Sequence, residues 1–294
     1  MPDLYSEYKL FSRPEALNNF SHWFPKIENC GMRVPKSVIV PVPDDLWRGE
    51  TFYMEHYEKN MEEILAFTNA YVLPAIEEAK IGSLLFLKNA TYSGKFDAGR
   101  SCFCMKDRYQ LAEHIAQIMY DSLCCEAGGT SEVVIRERIT RNLSTTPCIY
   151  NGLPLRPEFR VFYDFDAKKP IFTANYWDYD YVAPHLYEKT DRIVFNAMRE
   201  AIEDAFEAYK DTVTDLVSDA MSRVEGLSGP WSVDVMLEDY PSSEAIQANT
   251  ELLSPDGVEK YVKFMEHQRQ PHFWLIDMAL AERSSYWEKR PGLE

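Results

Sequence analysis

An apolar run that ends in a lysine and opens into a polar loop constrains the fold more than any other stretch. Leu84–Leu87 is followed by Lys88, and the next residues are small, polar or basic: Asn89, Ala90, Thr91, Tyr92, Ser93, Gly94 and Lys95. Four successive apolar residues are typical of a buried strand, and Asn, Thr, Ser and Gly end one. The stretch therefore predicts a strand that carries Lys88 to the base of a loop. That loop either covers phosphate groups with its N–H groups and Lys95, or is an ordinary surface turn.

Length and composition indicate a globular protein with one large domain or two to three small lobes. The chain has 294 residues, of which 46% are hydrophobic, enough for a sizeable core. It contains no apolar run of about eighteen residues, and Met1–Glu7 does not begin a basic region followed by an apolar one. We therefore expect no membrane partner and no export signal. The six cysteines show no CxxC spacing, so neither a zinc site nor a disulfide scaffold is expected, and the expected location is cytoplasmic.

The charge balance argues against a protein that binds nucleic acid. The formal net charge is −16, whereas binding to a phosphate backbone depends on clustered Lys and Arg. An acidic surface still permits an anionic ligand where a cleft gathers the few cations of the chain. The positions of Lys and Arg are therefore informative.

Helical and strand patterns are interleaved along the chain, which predicts an α+β fold. Apolar residues recur at helical spacing in three stretches, with Pro74 expected to break or kink the first: 51–80, 111–123 and 191–225, the last as one helix or two, ended by Gly226. Strand patterns occupy seven further stretches: 37–43, an edge strand because of its prolines, 101–105, 132–139, 155–165, 171–177, 231–237 and 273–278. We expect 84–105 to form a hairpin, 155–165 to pair with 171–177, and 242–261 to be a loop.

Two of the predicted strands place a single aspartate inside an apolar run. Asp234 and Asp277 are these residues, and a lone buried carboxylate is costly unless it is paired or binds a cation. A third strand carries Glu158 and Arg160 on one face. The guanidinium of Arg160 suits bidentate binding of a phosphate or a carboxylate.

Taken together, these residues describe a site for a nucleoside triphosphate. Lys88 and Lys95 supply positive charge for phosphates, and the two aspartates supply hard oxygen ligands for Mg²⁺. Each residue also has a structural interpretation: Lys88 at a strand end, Asp277 as a capped polar residue, Arg160 in a pair with Glu158 or a neighbouring acid. The histidines have no HExxH or similar spacing, so none is assigned a role.

The order of these motifs resembles the ATP-grasp superfamily, most closely the cell division cycle protein 123 family and the arginine/two-lysine clade of ATP-grasp peptide ligases. The resemblance covers about residues 84 to 280. It rests on four motifs: Leu87-Lys88-Asn89 with Ser93, Lys95, Asp97 and Ala98; Arg156-Pro157-Glu158-Phe159-Arg160-Val161-Phe162; Val233-Asp234-Val235; and Trp274-Leu275-Ile276-Asp277.

This resemblance implies two α+β lobes with ATP between them. An N-terminal segment would occupy residues 1–80, the first lobe 81–140 and the second lobe 141–294. The implied nucleotide-binding set is Lys88, Ser93, Gly94, Lys95, the hinge Glu137-Arg138-Ile139, and Glu158. Arg160 and Lys95 would be catalytic, with Arg160 at the γ-phosphate or acyl-phosphate, and Asp234 and Asp277 would hold Mg²⁺.

One departure from the family pattern bears on function. The last strand of the family usually continues as acidic residue, any residue, Asn, with the Asn as a metal ligand, whereas this chain has Asp277-Met278-Ala279. Three consequences are open: a weakened metal position, replacement by Glu282, or lost catalysis.

The resemblance implies an ATP-dependent carboxylate–amine ligase that acts on amino acids or peptides through an acyl-phosphate. Its substrates would be a small-molecule or peptide carboxylate and an amine. The alternative is an ATP-binding assembly chaperone of the cell division cycle protein 123 type, which would have a protein partner and no ligase turnover. A kinase-like phosphotransferase is a third reading.

Overall fold

The computed structural model describes residues 16–43, 46, 57–125, 132–139, 146–238 and 271–292. Within these ranges the chain is a mixed α+β protein whose sheets are antiparallel, as expected for the fold class. The strands are β1 (Ser37–Pro41), β2 (Leu84–Asn89), β3 (Cys102–Cys104), β4 (Glu132–Glu137), β5 (Cys148–Ile149), β6 (Leu153–Pro154), β7 (Glu158–Asp164), β8 (Lys169–Asn175), β9 (Pro230–Glu238) and β10 (His272–Leu280). The helices are α1 (Phe20–Ile27), α2 (Tyr57–Phe67), α3 (Leu73–Glu78), α4 (Ala98–Ser101), α5 (Arg108–Cys124), α6 (Tyr179–Val182) and α7 (Lys189–Ser222).

The first lobe is built on a four-stranded sheet in the order β1-β4-β2-β3. The predicted hairpin is confirmed, because β2 pairs antiparallel with β3 from Leu84 opposite Cys104 to Phe86 opposite Cys102. The predicted edge strand is also confirmed, because β1 pairs only with β4 in the described residues. The apolar face of this sheet packs against α2, α3 and α5 around a core that includes Leu85, Leu87 and Ile115.

The predicted interruption near Pro74 takes the form of a π-helical segment, Thr68–Val72, between α2 and α3. Pro74 follows directly after Leu73, and the backbone is helical on both sides of it, so the π-helical segment lies where Pro74 cannot supply an N–H to the helix.

The second lobe is built on the four-stranded sheet β10-β9-β7-β8, and the predicted pairing of β7 with β8 is confirmed. The stretch 191–225 forms one helix, α7, rather than two, and α7 packs across β7 and β8. This helix ends at Ser222 and not at Gly226, because the N–H of Arg223 bonds back to carbonyls of the last turn. Gly226 adopts φ +76° beyond that end.

The described residues between 16 and 80 contribute to both lobes. Helix α1 buries Phe20 and Trp23 in the core of the second lobe, whereas β1 extends the sheet of the first. The domain boundaries at 80 and 140 remain a prediction. The loop expected at 242–261 lies outside the described residues. Among the described helices, none combines the length and the apolar composition that crossing a bilayer requires.

Candidate functional site

A cleft between the two sheets gathers most of the residues singled out in the sequence. It encloses about 930 Å³ of empty space, counting its solvent-filled mouth, and both lobes line it. The predicted residues on its walls are Ser93, Lys95, Glu137, Arg138, Ile139, Glu158, Asp234 and Asp277.

Lys88 joins the two lobes through an ion pair with Asp277. Strand β2 ends at Asn89 and holds Lys88 at 2% exposure, with its Nζ 3.1 and 3.0 Å from the two carboxylate oxygens of Asp277. Burial alone would raise the pKa of Asp277, but the charges of Lys88 and Arg136 outweigh it and hold that pKa below its ordinary value. Lys88 therefore faces a carboxylate at the edge of the cleft.

Arg160 forms a bidentate pair with Asp234, its neighbour across the sheet. The Cα atoms are partners in the β7–β9 ladder, and Nε and Nη2 lie 2.7 Å from the two carboxylate oxygens. Burial opposes the charged form, but Asp234 outweighs it and raises the pKa of Arg160. The guanidinium also lies 4.7 Å from the centre of the Tyr176 ring. Of the two structural interpretations for Arg160, pairing with a neighbouring acid is the one observed.

Asp234 and Asp277 are opposite each other on adjacent strands. Their Cα atoms are partners in the β9–β10 ladder, directly after an irregularity that leaves Ile276 without a partner in the register. Such bulges redirect side chains at the edge of a site. Two adjacent carboxylates suit Mg²⁺, which takes one or two protein carboxylates and completes its shell with water and phosphate oxygens.

Lys95 differs from Lys88 because its ammonium has no carboxylate within ion-pair distance among the described residues, although the charge of Glu158 acts on it. Its half-buried ammonium lies 4.4 Å from the centre of the Tyr176 ring, on the short 3-10 turn Lys95–Asp97. Burial and the nearby charge of Arg160 lower its pKa. Glu158, on the same wall, has its pKa raised to about 7, because burial outweighs the attraction of Lys95. The site thus contains a cation available for an anionic ligand.

The loop that follows β2 is held by short local hydrogen bonds. The side-chain oxygen of Asn89 accepts hydrogen bonds from the N–H groups of Thr91 and Tyr92 at 3.0 and 2.7 Å, an Asx turn. Gly94 adopts φ +59° and is buried, and it does not line the cleft. A Cβ at this position would lie 2.6 Å from Ile118 Cδ1, so the position favours glycine.

Arg136 is a site residue that the sequence analysis missed. It is 3% exposed, lines the cleft, and burial lowers its pKa to about 10. Its Nη1 donates to the carbonyl of the bulged Ile276 and its Nε to Ser37 Oγ, whereas Nη2 has no hydrogen-bond partner in the described part of the chain. The strand pattern at 132–139 is confirmed as β4, and Arg136 stays buried on it, where the charge of Asp277 acts on its guanidinium. The sequence signal for a buried arginine is its position directly after the apolar run Val133-Val134-Ile135.

Glu282 does not join this group. It is exposed on the 3-10 turn Ala281–Arg283 after β10 and is not among the residues that line the cleft. The described residues contain no group of three or more His, Cys, Asp or Glu placed to hold a metal.

Similarity to known proteins adds no assignment to this geometry. No protein-family model matches the chain, and a search of curated proteins finds no match.

Proposed function

We propose that this protein has the ATP-grasp fold and is an ATP-dependent carboxylate–amine ligase that acts through an acyl-phosphate. The observation that carries the proposal is the set of opposite charges gathered between two antiparallel sheets. Lys88 and Arg160 pair with two adjacent carboxylates. Lys95 and Arg136 add positive charge, and each has N–H groups that could donate hydrogen bonds to a ligand.

Mg²⁺ and ATP together match this arrangement better than either does alone. Phosphate oxygens can accept the hydrogen bonds that Lys88 and Arg160 donate to the two carboxylates. The carboxylates of Asp277 and Asp234 are then free to bind the metal ion. A phosphate without the metal would leave both carboxylates facing it, and the metal alone would leave the cations unpaired. Asp234 and Asp277 would hold Mg²⁺, and the metal would neutralise part of the phosphate charge.

The cleft also has a wall suited to adenine. Phe86, Met236 and Ile276 give it apolar surface, and Glu137–Ile139 runs along its rim where β4 leaves the first sheet. A planar base fits between apolar surfaces, with backbone groups at its edge for hydrogen bonds. This lining supports the proposal that Glu137, Arg138 and Ile139 form the adenine hinge.

The proposed reaction needs little proton transfer by the protein. A carboxylate oxygen bonds to the γ-phosphorus as the bond to the β-γ bridging oxygen breaks, and ADP leaves. An amine nitrogen then attacks the acyl carbon and phosphate leaves, with the amine proton passing to solvent. Lys95 and Arg160 stabilise the charge on the transferred phosphoryl group.

The test is release of ADP that depends on both a carboxylate and an amine. Nucleotide binding is measured separately, by calorimetry with Mg²⁺ and a non-hydrolysable ATP analogue. We expect Lys95→Gln to weaken binding at least about tenfold, because it removes a charge-assisted hydrogen bond. Lys88→Ala should also weaken it strongly.

Lys106→Gln is the matched control, since Lys106 is exposed and outside the cleft. Equal affinity of the Lys95 and Lys106 variants would contradict the phosphate assignment. Binding without ADP release, across a broad set of carboxylates and amines, would contradict the ligase.

The assembly-chaperone alternative is favoured by one observation, the methyl side chain of Ala279 where a third metal ligand is expected. It predicts nucleotide binding, no ADP release, and stoichiometric recovery of one protein partner.

A further inference from the structure

A second cavity adjoins the cleft and has a different lining. It encloses about 700 Å³, counting its open mouth. The two cavities share three residues: Lys95, Tyr176 and Trp177. A ligand in the second cavity and a nucleotide in the cleft would therefore meet beside the Lys95 ammonium.

Aromatic rings form most of the walls of this second cavity: Phe96, Tyr150, Tyr176, Trp177, Tyr181 and Tyr286. These rings support one another. The Tyr181 and Tyr286 rings are 4.4 Å apart, and the Phe96 and Tyr150 rings meet edge to face at 5.3 Å. The hydroxyl of Tyr286 donates to the Tyr176 carbonyl at 2.8 Å. The walls are therefore preorganised for a planar apolar group.

The charges of the lining are positive. Lys95 and Arg160 lie on it, and no carboxylate does among the described residues. Asp234 occupies Nε and Nη2 of Arg160, whereas Nη1 makes a longer 3.3 Å contact with the Ser285 carbonyl. The Lys95 ammonium lies 5.9 Å from the centre of the Phe96 ring and 4.4 Å from the centre of the Tyr176 ring. Because Asp234 offsets the charge of Arg160, Lys95 supplies most of the positive charge of this lining, which favours an anionic group over a protonated amine.

We propose that the second cavity, the aromatic pocket, binds the carboxylate substrate and selects one with an aromatic body. The carboxylate would lie between Lys95 and Arg160, and its ring between Tyr181 and Tyr150. This inference rests on the proposed ligase, since the shared Lys95 places that carboxylate next to the γ-phosphate. The amine substrate would enter from another side.

The pocket is tested by binding to the full chain without nucleotide, so that the result does not depend on turnover. The probes are 3-phenylpropionate, 3-phenylpropylamine, which exchanges the carboxylate for an ammonium, and butyrate, which lacks the ring. Affinities are measured by calorimetry or saturation-transfer NMR. We expect 3-phenylpropionate to bind at least about tenfold more tightly than either control, because it alone uses both the rings and the cations. Equal or tighter binding of the amine or of butyrate would overturn the proposal.

Tyr181→Ala locates the binding, since Tyr181 lines the aromatic pocket but not the cleft. We expect this substitution to lower the affinity for 3-phenylpropionate at least about tenfold and to leave the affinity for Mg²⁺ with the ATP analogue unchanged. Tyr181→Phe should retain the binding, and Tyr109→Ala, at a ring that is 55% exposed elsewhere, should not change it. Unchanged 3-phenylpropionate affinity in folded Tyr181→Ala would overturn the assignment.

The two proposals fail in different ways. Binding of 3-phenylpropionate without nucleotide binding would support the aromatic pocket and contradict the ligase. Nucleotide binding with no preference for the aromatic carboxylate would leave the ligase standing and overturn the pocket.

Discussion

Replacing Asp277 with Asn should destabilise the ligand-free protein more than removing its partner Lys88 does. The pair is asymmetric, because the Lys88 side chain is 3% exposed and that of Asp277 is 37% exposed. Arg136, also buried, gains from the same carboxylate. Asp277→Asn therefore leaves two buried cations without their shared counter-charge, whereas Lys88→Met leaves one carboxylate that water can reach and Arg136 still faces.

The expected loss of stability follows from the distance between the Lys88 ammonium and the Asp277 carboxylate. Two charges 3.0 Å apart attract by about 5 to 6 kcal/mol at an effective dielectric constant near 20. The exposure of Asp277 screens part of this, and Asn keeps an oxygen that accepts one hydrogen bond from Lys88. We expect Asp277→Asn to lower the free energy of unfolding by about 2–3 kcal/mol, and Lys88→Met by about 1 kcal/mol.

Urea denaturation measures both values, and the melting temperature supplies a second measure. A loss of 2–3 kcal/mol in a chain of this size corresponds to about 3–5 °C, and the double variant should be less destabilised than the sum of the two single variants. Because the pKa of Asp277 is lowered in the folded state, its contribution is present above the unfolded pKa of about 4 and is lost as the pH falls through the folded pKa. The deficit of Asp277→Asn should therefore be largest near neutral pH. An equal or larger loss for Lys88→Met would refute the reasoning.

Three further predictions concern the loop, the buried glutamate and the metal position. Gly94→Ala should cost about 1–3 kcal/mol in denaturation, because Gly94 has positive φ and no room for a Cβ, whereas Gly82→Ala, with nothing within 4 Å, should be neutral or slightly stabilising. Glu158→Gln should gain stability relative to the parent as the pH rises from about 4.5 to 7, because the raised folded pKa means that the parent loses stability there; equal pH dependence would contradict this. Ala279→Asn should lower the Mg²⁺ concentration needed for nucleotide binding, and an unchanged requirement in calorimetry would exclude a metal ligand at that position.

Local patterns predicted the strands and helices that flank the site. The hairpin from β2 to β3, the pairing of β7 with β8 and helix α5 follow from residues close together in the sequence, where periodicity and turn residues act. The glycine at Gly226 predicts too late an end for α7, because the helix already ends at Ser222 in a tightened turn at Arg223.

Local sequence patterns do not predict which charged residues pair inside the site, because the pairs depend on how distant strands align. Lys88 and Asp277 are 189 residues apart, and no local pattern indicates which carboxylate a strand-end lysine will meet. The burial of Arg136 depends on two further events, the bulge at Ile276 and the insertion of β4 between β1 and β2. The sequence therefore predicted the residue types of the site better than their pairing.

The sheet geometry explains why Ala279 matters for the metal. Ala279 follows Asp277 by two residues, so both side chains project from the same face of β10, and the Cα of Ala279 is paired with that of Ser232, two residues before Asp234. The four positions carry two carboxylates, one hydroxyl and one methyl group. The hydroxyl of Ser232 is already engaged with Ser284 at 2.7 Å. With two carboxylates as the protein ligands, water and phosphate oxygens must supply most of the Mg²⁺ shell, so we expect the metal to enter with the nucleotide rather than before it.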